Sequence, residues 1–308
     1  MKKNYLILVL LLIFILFILT HPTVSMTAAA NGLLLWYEQI LPSLLPLAIL
    51  SNIMVYSNYM QIVTKYLYPL TKHIIPTSQN GCFALLGGIL FGFPMGSKIS
   101  ADLTKHQNIS KQEGEILAIC FNQLSPVFVS GYLMTSILGM PDLILPSYAA
   151  LYLPPLFYAF FKLKKLHLSN TKNSASDSVL DFRIIDAGIM NGFESLTKLG
   201  GYIILFSIFA ALLHTCNTSY PLFNLICTGL VEVTTGISYL KESMLPPEYV
   251  YAIAIFFASF GGLCGFAQTC SMTSECSFSK TRYLVCRLCF AAFSCLLGYL
   301  FFLLFGSI

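Results

Sequence analysis

Hydrophobic residues run along this chain in long blocks, separated by short polar stretches. The apolar blocks fall at 5–19, 33–55, 83–93, 116–137, 143–161, 199–213, 221–240, 249–267 and 283–304. A helix needs about 20 mostly apolar residues to cross a bilayer. Several blocks reach that length. Others are too short, or too broken by Gly and Pro, to be simple spans. The pattern predicts an all-α, polytopic integral membrane protein with about eight membrane segments, two of them re-entrant hairpins.

The clearest polar interruption is 162–186, KLKKLHLSNTKNSASDSVLDFRIID, with its basic residues concentrated at Lys162, Lys164 and Lys165. Basic excess beside a span marks the cytoplasmic side. This gives an N-terminal membrane helix or signal anchor over 1–30, a first half over 31–161, a cytoplasmic basic linker over 162–186 and a second half over 187–308. The halves echo each other. Asn31-Gly32 returns 160 residues later as Asn191-Gly192, and the same offset lays ILPSLLP (40–46) on GGYIILF (200–206). Further on, GGILFGFP (87–94) is echoed by GGLCGFA (261–267) with one residue missing. Together these point to an internal repeat. With Lys2 and Lys3 inside, the first helix runs outward and 33–55 runs inward. If 82–97 dips in and returns, the linker lands inside and the second half starts from the opposite face, an inverted repeat. The direction of the last span, flanked by Lys280, Arg282 and Arg287, stays open.

Composition agrees. Of 308 residues 56% are hydrophobic and 10% charged, against about 25% charged in soluble domains. The net charge of +4 comes from short loops, and no basic stripe with interleaved aromatics marks a nucleic-acid face. Lys2 and Lys3 before 5–19, then Ala28-Ala29-Ala30, fit a cleaved signal peptide as well as the retained first helix read here. Eight of the ten Cys follow residue 200. Cys286-x-x-Cys289 lacks the second pair or the His of a zinc site, and Cys packs well between helices. The five His are scattered, and no HExxH, GxSxG or phosphate loop is present. Asp102, Glu113 and Glu115 read as a solvated face. No enzyme, cofactor or bound metal is expected.

Polar groups inside a membrane face a cavity or a partner. Four clusters stand out. In GFPMGSK, Gly92 and Pro94 favour a re-entrant tip whose freed backbone groups could bind a solute; the bland alternative is a helix end with Lys98 reaching the interface. In CFNQLSPVF, Asn122, Gln123 and Ser125 precede Pro126, and amides suit uncharged solutes; the alternative is helix–helix glue. In GLVEVTTGISYL, Glu232 stands with Thr234 and Thr235, able to accept hydroxyls, a cation or a proton; the alternative is an interfacial helix with Glu232 in water. In GGLCGFAQTCSMTSE, Gln268, Thr269 and Ser271 follow a Gly-rich turn and would sit on a second re-entrant tip; the alternative is a helix end entering a polar loop.

The order GLLLWYEQILPSLLPLAIL, GGILFGFPMGSK, CFNQLSPVFVSGYL, GGYIILFS, GLVEVTTG, GGLCGFAQTCS resembles the nucleoside recognition (Gate) domain membrane proteins. Among these it is most similar to the sporulation integral membrane proteins of the YlbJ type, from about Asn31 to the end of the chain. The resemblance implies a multi-helix protein of the cell membrane in a spore-forming bacterium. GFAQTCS is also similar to the GFAN-type hairpin of concentrative nucleoside transporters, which would make Gln268, Thr269 and Ser271 solute-contacting. Related Gate domains occur in the bacterial ferrous-iron transporter, which raises divalent metal transport as an alternative, with Cys264, Cys270 and Glu232 on offer. The expected function is transport or sensing of a small polar solute, nucleoside-like or a spore metabolite. The rival is a non-transporting scaffold for spore envelope or cortex formation. The implied partners are the lipid bilayer and the solute, with homo-oligomerisation left open.

Overall fold

The computed structural model describes residues 2–57, 59–166, 181–216 and 220–306. Much of the linker expected at 162–186 lies outside the described residues. Every regular element among them is helical. Helix α1 (Lys2–Thr20) stops at His21, and Pro22 opens α2 (Pro22–Tyr56), a continuous 35-residue helix whose middle, Leu35–Ile40, is π-wound. Proline suits a first turn, where its missing N–H would have no partner. Then come α3 (Tyr59–Thr71), α4 (Gly81–Phe91), α5 (Met95–Lys105), α6 (Lys111–Cys120) and the π-wound α7 (Phe128–Ile137). A 3-10 turn leads into α8 (Ile144–Lys164). The rest is α9 (Phe182–Cys216), α10 (Pro221–Val231), α11 (Val233–Lys241), α12 (Pro247–Phe260), α13 (Gly262–Met272) and α14 (Lys280–Phe305).

Five stretches are long and apolar enough to cross a membrane: Pro22–Tyr56, Pro141–Lys164, Phe182–Thr215, Pro247–Met272 and Lys280–Phe305. The other apolar blocks are built differently. Helices α4 and α5 fold back on each other as a hairpin, as expected for 82–97. The block at 221–240, read as one span, is a second hairpin made of α10 and α11, because Glu232 leaves the helical conformation at φ −140°, ψ 118°. The second re-entrant tip had been expected at Gly261-Gly262. There the chain breaks but runs on, from α12 into α13. The echo between 87–94 and 261–267 therefore matches a hairpin arm with a helix break, and these two stretches are not structural counterparts.

The two longest helices, α2 and α9, pack antiparallel. Gly32 lies against Ser207, Gly192 against Ile49 and Gly188 against Ile53, while the Trp36 ring covers Gly200. The Trp36 indole N–H donates to the Leu196 carbonyl at 2.8 Å. Glycines allow this closeness, since a Cβ at Gly32 would stand 2.8 Å from the Ser207 hydroxyl.

Two large apolar clusters lie at opposite ends of the bundle. One joins Phe83 and Leu85 of α4, Ile99 and Leu103 of α5, Leu117 of α6 and Leu163 of α8. The other joins Leu225 of α10, Ile237 and Leu240 of α11, Leu133 of α7, Leu151 of α8 and Tyr251 of α12. Each hairpin thus enters from its own face. The first face gathers Lys65, Lys72, Lys105, Lys111, Lys162, Lys164, Lys165, Arg183, Lys280 and Arg282; the second holds Lys241. Basic excess as a rule marks the cytoplasmic side of a membrane protein, which favours the first face. The last helix, α14, starts at the first face, where Arg282 meets Glu115, and runs toward the second.

Glu113 and Glu115 are not a solvated face: both are buried. Glu113 Oε1 accepts the Ser78 N–H at 2.7 Å. Glu115 accepts the Ser279 N–H and the Arg282 guanidinium, each at 2.9 Å, and so ties the turn before α14 to α6. Lys98 does not reach out; its ammonium pairs at 2.9 Å with Asp102, one turn on in α5. In the same region, the Lys105 ammonium holds the exposed Glu275 carboxyl below its ordinary range.

Candidate functional site: a cavity between two hairpin tips

The first hairpin, α4–α5, turns at Gly92, whose φ of +73° is open to glycine at little strain. Its arms cross at Gly88 and Gly96, and the Phe121 carbonyl lies against both, where any Cβ would collide. The tip is tied to the break after α6. The Phe93 N–H donates to the Gln123 carbonyl at 2.6 Å, and the Ser97 N–H to Asn122 Oδ1 at 3.2 Å.

The opposite hairpin is built on the same plan with different chemistry at its tip. Its arms cross at Gly229 and Gly236, with the Phe257 ring against Gly229. Glu232 caps α11. Its carboxylate accepts the Thr234 N–H (3.2 Å), the Thr235 N–H (2.7 Å) and both threonine hydroxyls (2.6 and 2.7 Å). A helix N-terminus presents unpaired N–H groups and a partial positive charge, so it can hold a carboxylate away from water.

Between the hairpins lie two helix breaks. The first spans Phe121 to Pro126, where proline cannot donate to the helix ladder. The second is Gly261-Gly262, at φ +80° and +70°. Both leave carbonyls at a helix C-terminus without a helical partner. Arg287, fully buried in α14, answers both: Nη1 donates to the Asn122 carbonyl at 3.0 Å and Nε to the Phe260 carbonyl at 3.3 Å. A guanidinium suits this place, because two helix C-termini carry partial negative charge. The Asn122 amide donates to Thr269 Oγ1 (3.0 Å) and to the Tyr283 hydroxyl (2.9 Å).

The tips and breaks close around one cavity of about 530 Å³, further walled by α2 and α9. That volume falls in the range of small-molecule sites. Of the residues expected to contact a solute, Pro94, Ser125, Glu232, Thr234 and Gln268 line it. Gln268 is buried, its Nε2 bonded to Cys264 Sγ at 3.1 Å and its Oε1 without a partner. Gly92 forms the tip beside the wall. Thr235 lines a smaller chamber of about 180 Å³, which shares Leu35, Tyr132 and Thr234 with the cavity. Asn122 and Thr269 are joined to each other away from the cavity wall, and Gln123 is buried with both amide atoms unpaired. Ser271 lies outside both chambers, at the C-terminal end of α13.

Two residues escaped the sequence reading. Tyr132, common to both chambers, carried no signal beyond being aromatic. Arg287 did: two turns past Lys280, it is too deep in an apolar helix to be a flank. Among the described residues no group of three His, Cys, Asp or Glu is placed to hold a metal.

No family model matches the chain. No solved structure matches it. It is 26% identical over 309 residues to "Sporulation integral membrane protein YlbJ" of Bacillus subtilis (strain 168), an alignment covering 88% of this chain and 76% of that protein. With its helices long enough to cross a bilayer, the chain is a multi-pass integral membrane protein similar to a sporulation protein of Bacillus.

Proposed function

We propose that the chain is a sporulation membrane protein that binds a small polar solute in the central cavity and carries it across the membrane. The observation that carries this is the convergence of two hairpin tips and two helix breaks, from opposite faces, on one cavity of about 530 Å³. Broken backbone at membrane depth is tolerated where it lines a cavity or is buried in protein. Transporters built on inverted repeats place their solute at such a junction.

The repeat itself supports the reading. Each half runs as a long helix, a hairpin, a broken helix and a single helix: α2, α4–α5, α6–α7 and α8, then α9, α10–α11, α12–α13 and α14. The 160-residue offset carries Gly32, packed on α9, to Gly192, packed on α2. The hairpin counterparts are Gly88 and Gly96 with Gly229 and Gly236. On this reading the membrane holds α1, six further crossings and two hairpins, in Gate-like halves of 31–161 and 187–308 around the 162–186 linker.

The solute offers hydrogen-bond donors to the Glu232 carboxylate and to Gln268, whose unpaired Oε1 is buried behind the wall and turns out to meet it, and apolar surface to Phe93, Leu124 and Ile203. Nucleosides and small spore metabolites fit that description. Divalent metal transport has less support, for want of a ligand cluster among the described residues. Under the scaffold alternative these polar groups only join helices. A thermal-shift screen decides between them. Nucleosides, nucleobases, dipicolinate, amino acids and divalent metals are offered to the wild type, Glu232→Gln and Gln268→Ala. A compound that stabilises the wild type alone supports the cavity as a binding site. Equal stabilisation of all three removes it.

A further inference from the structure

The outer side of the α2–α9 pair carries charge where a membrane protein can least tolerate it. Glu38 lies near the middle of the 35-residue α2, and Lys198 near the middle of the 35-residue α9. At 1.5 Å per residue each is about 25 Å from either end of its helix, which puts it about 15 Å inside a hydrocarbon core about 30 Å thick when the helix is centred on it. The depth is also set by their neighbours, since Leu35, Ile40, Leu199 and Ile203 on the inner side line the cavity between the hairpin tips. Yet Glu38 is exposed, Tyr37 beside it is 62% exposed, and the side chains of Lys198 and its partner Glu194 are 54% and 62% exposed. No ion pair to Glu38 forms among the described residues. Charged side chains at mid-bilayer are costly against acyl chains and turn toward protein or water.

The placement of the two charges says what covers them. Glu38 and Lys198 are separated by the same 160 residues that relate Gly32 to Gly192. Trp36 and Gly200 meet where the antiparallel helices cross. The two residues therefore stand at matching heights at the two edges of the pair's outer side, each turned away from the other helix, with opposite signs. A two-fold axis along the membrane normal would bring α2 of one copy against α9 of the next and oppose the charges twice over, as an isologous interface requires. We propose that this face docks against the same face of a second copy of the chain, with Glu38 of one copy paired to Lys198 of the other. Lys198, already bonded to Glu194 at 2.6 Å, then sits between two carboxylates. Gly201, with open space where its Cβ would be, lies on the same outer face and leaves room for close approach.

The test is the oligomeric state of the full chain, by single-molecule photobleaching in liposomes at graded protein density. The wild type is expected to dimerise. Glu38→Lys should weaken the dimer at least tenfold, and Glu38→Lys combined with Lys198→Glu should restore it to within about threefold of the wild type. A wild type that stays monomeric at every density overturns the proposal, whether or not the variants fold. So does a dimer that Glu38→Lys leaves intact, or a monomer whose outer face is occupied by a different protein.

Discussion

Arg287 Nη1 donates to the Asn122 carbonyl at 3.0 Å, so a cation from α14 closes the C-terminal end of α6. Its Nε does the same for α12 at Phe260, at 3.3 Å. One side chain fixes both breaks that frame the cavity.

Arg287→Met is expected to leave both carbonyls without a strong donor, at about 1–3 kcal/mol each. Arg287→Lys should recover only part of this, since an ammonium lacks the planar fork that spans two acceptors. Thermal unfolding in detergent, followed by circular dichroism, checks the order wild type, Lys, Met. Equal stability of all three would show that the breaks hold without the guanidinium.

The hairpin crossings make a steric prediction. Gly88→Ala drives a methyl into the Phe121 carbonyl, and Gly229→Ala into the Phe257 ring. Each should destabilise by about 1–3 kcal/mol, the usual effect of overpacking. Gly131→Ala, with nothing within 4 Å of its Cβ position, should be neutral or slightly stabilising. Melting temperatures of the three variants, taken side by side, decide it.

Glu232 caps α11 from the wall of the cavity, so its two roles separate by substitution. Glu232→Gln keeps an acceptor for the Thr234 and Thr235 N–H groups and should lose little stability. Glu232→Ala removes the cap and should lose about 1 kcal/mol more. The chemical denaturation midpoints of the pair measure the cap alone. A Gln variant as weak as the Ala variant would mean that the charge, not the acceptor, holds the tip.

The membrane class and the helical hairpin at 82–97 were legible, because apolar block length and Gly placement report them directly. The second hairpin was not. Its arms are as apolar as a span, and the turn depends on Glu232 capping α11, a local bond that block length does not reveal. Lys198 was missed by starting the apolar block at 199, which cut α9 short of its true start at Phe182. Five expected contact residues line the cavity because polar groups in apolar runs do mark it. Asn122 and Thr269 gave the same signal while serving to join helices.

The two hairpins are anchored unequally. The α4–α5 hairpin is bonded to the rest of the protein through Phe93, Ser97, Lys105 and the Ala101 carbonyl. Beyond its apolar packing, the other meets a stacked His214 ring at Tyr239. Backbone amides of 229–238 are expected to exchange with deuterium at least tenfold faster than those of 88–98. Mass spectrometry of the exchanging protein in nanodiscs reads this directly, and similar rates in both hairpins would rule out α10–α11 as the looser of the two.

The central claim is passage of a solute through the cavity, and flux tests it most directly. Proteoliposomes would be offered radiolabelled uridine, adenine, dipicolinate and a mixture of amino acids in turn. The account predicts uptake of at least one above protein-free vesicles, reduced at least tenfold in Gln268→Ala protein that melts like the wild type. No uptake of any of them, or uptake indifferent to Gln268, would contradict it and leave the polar wall of the cavity as packing between helices.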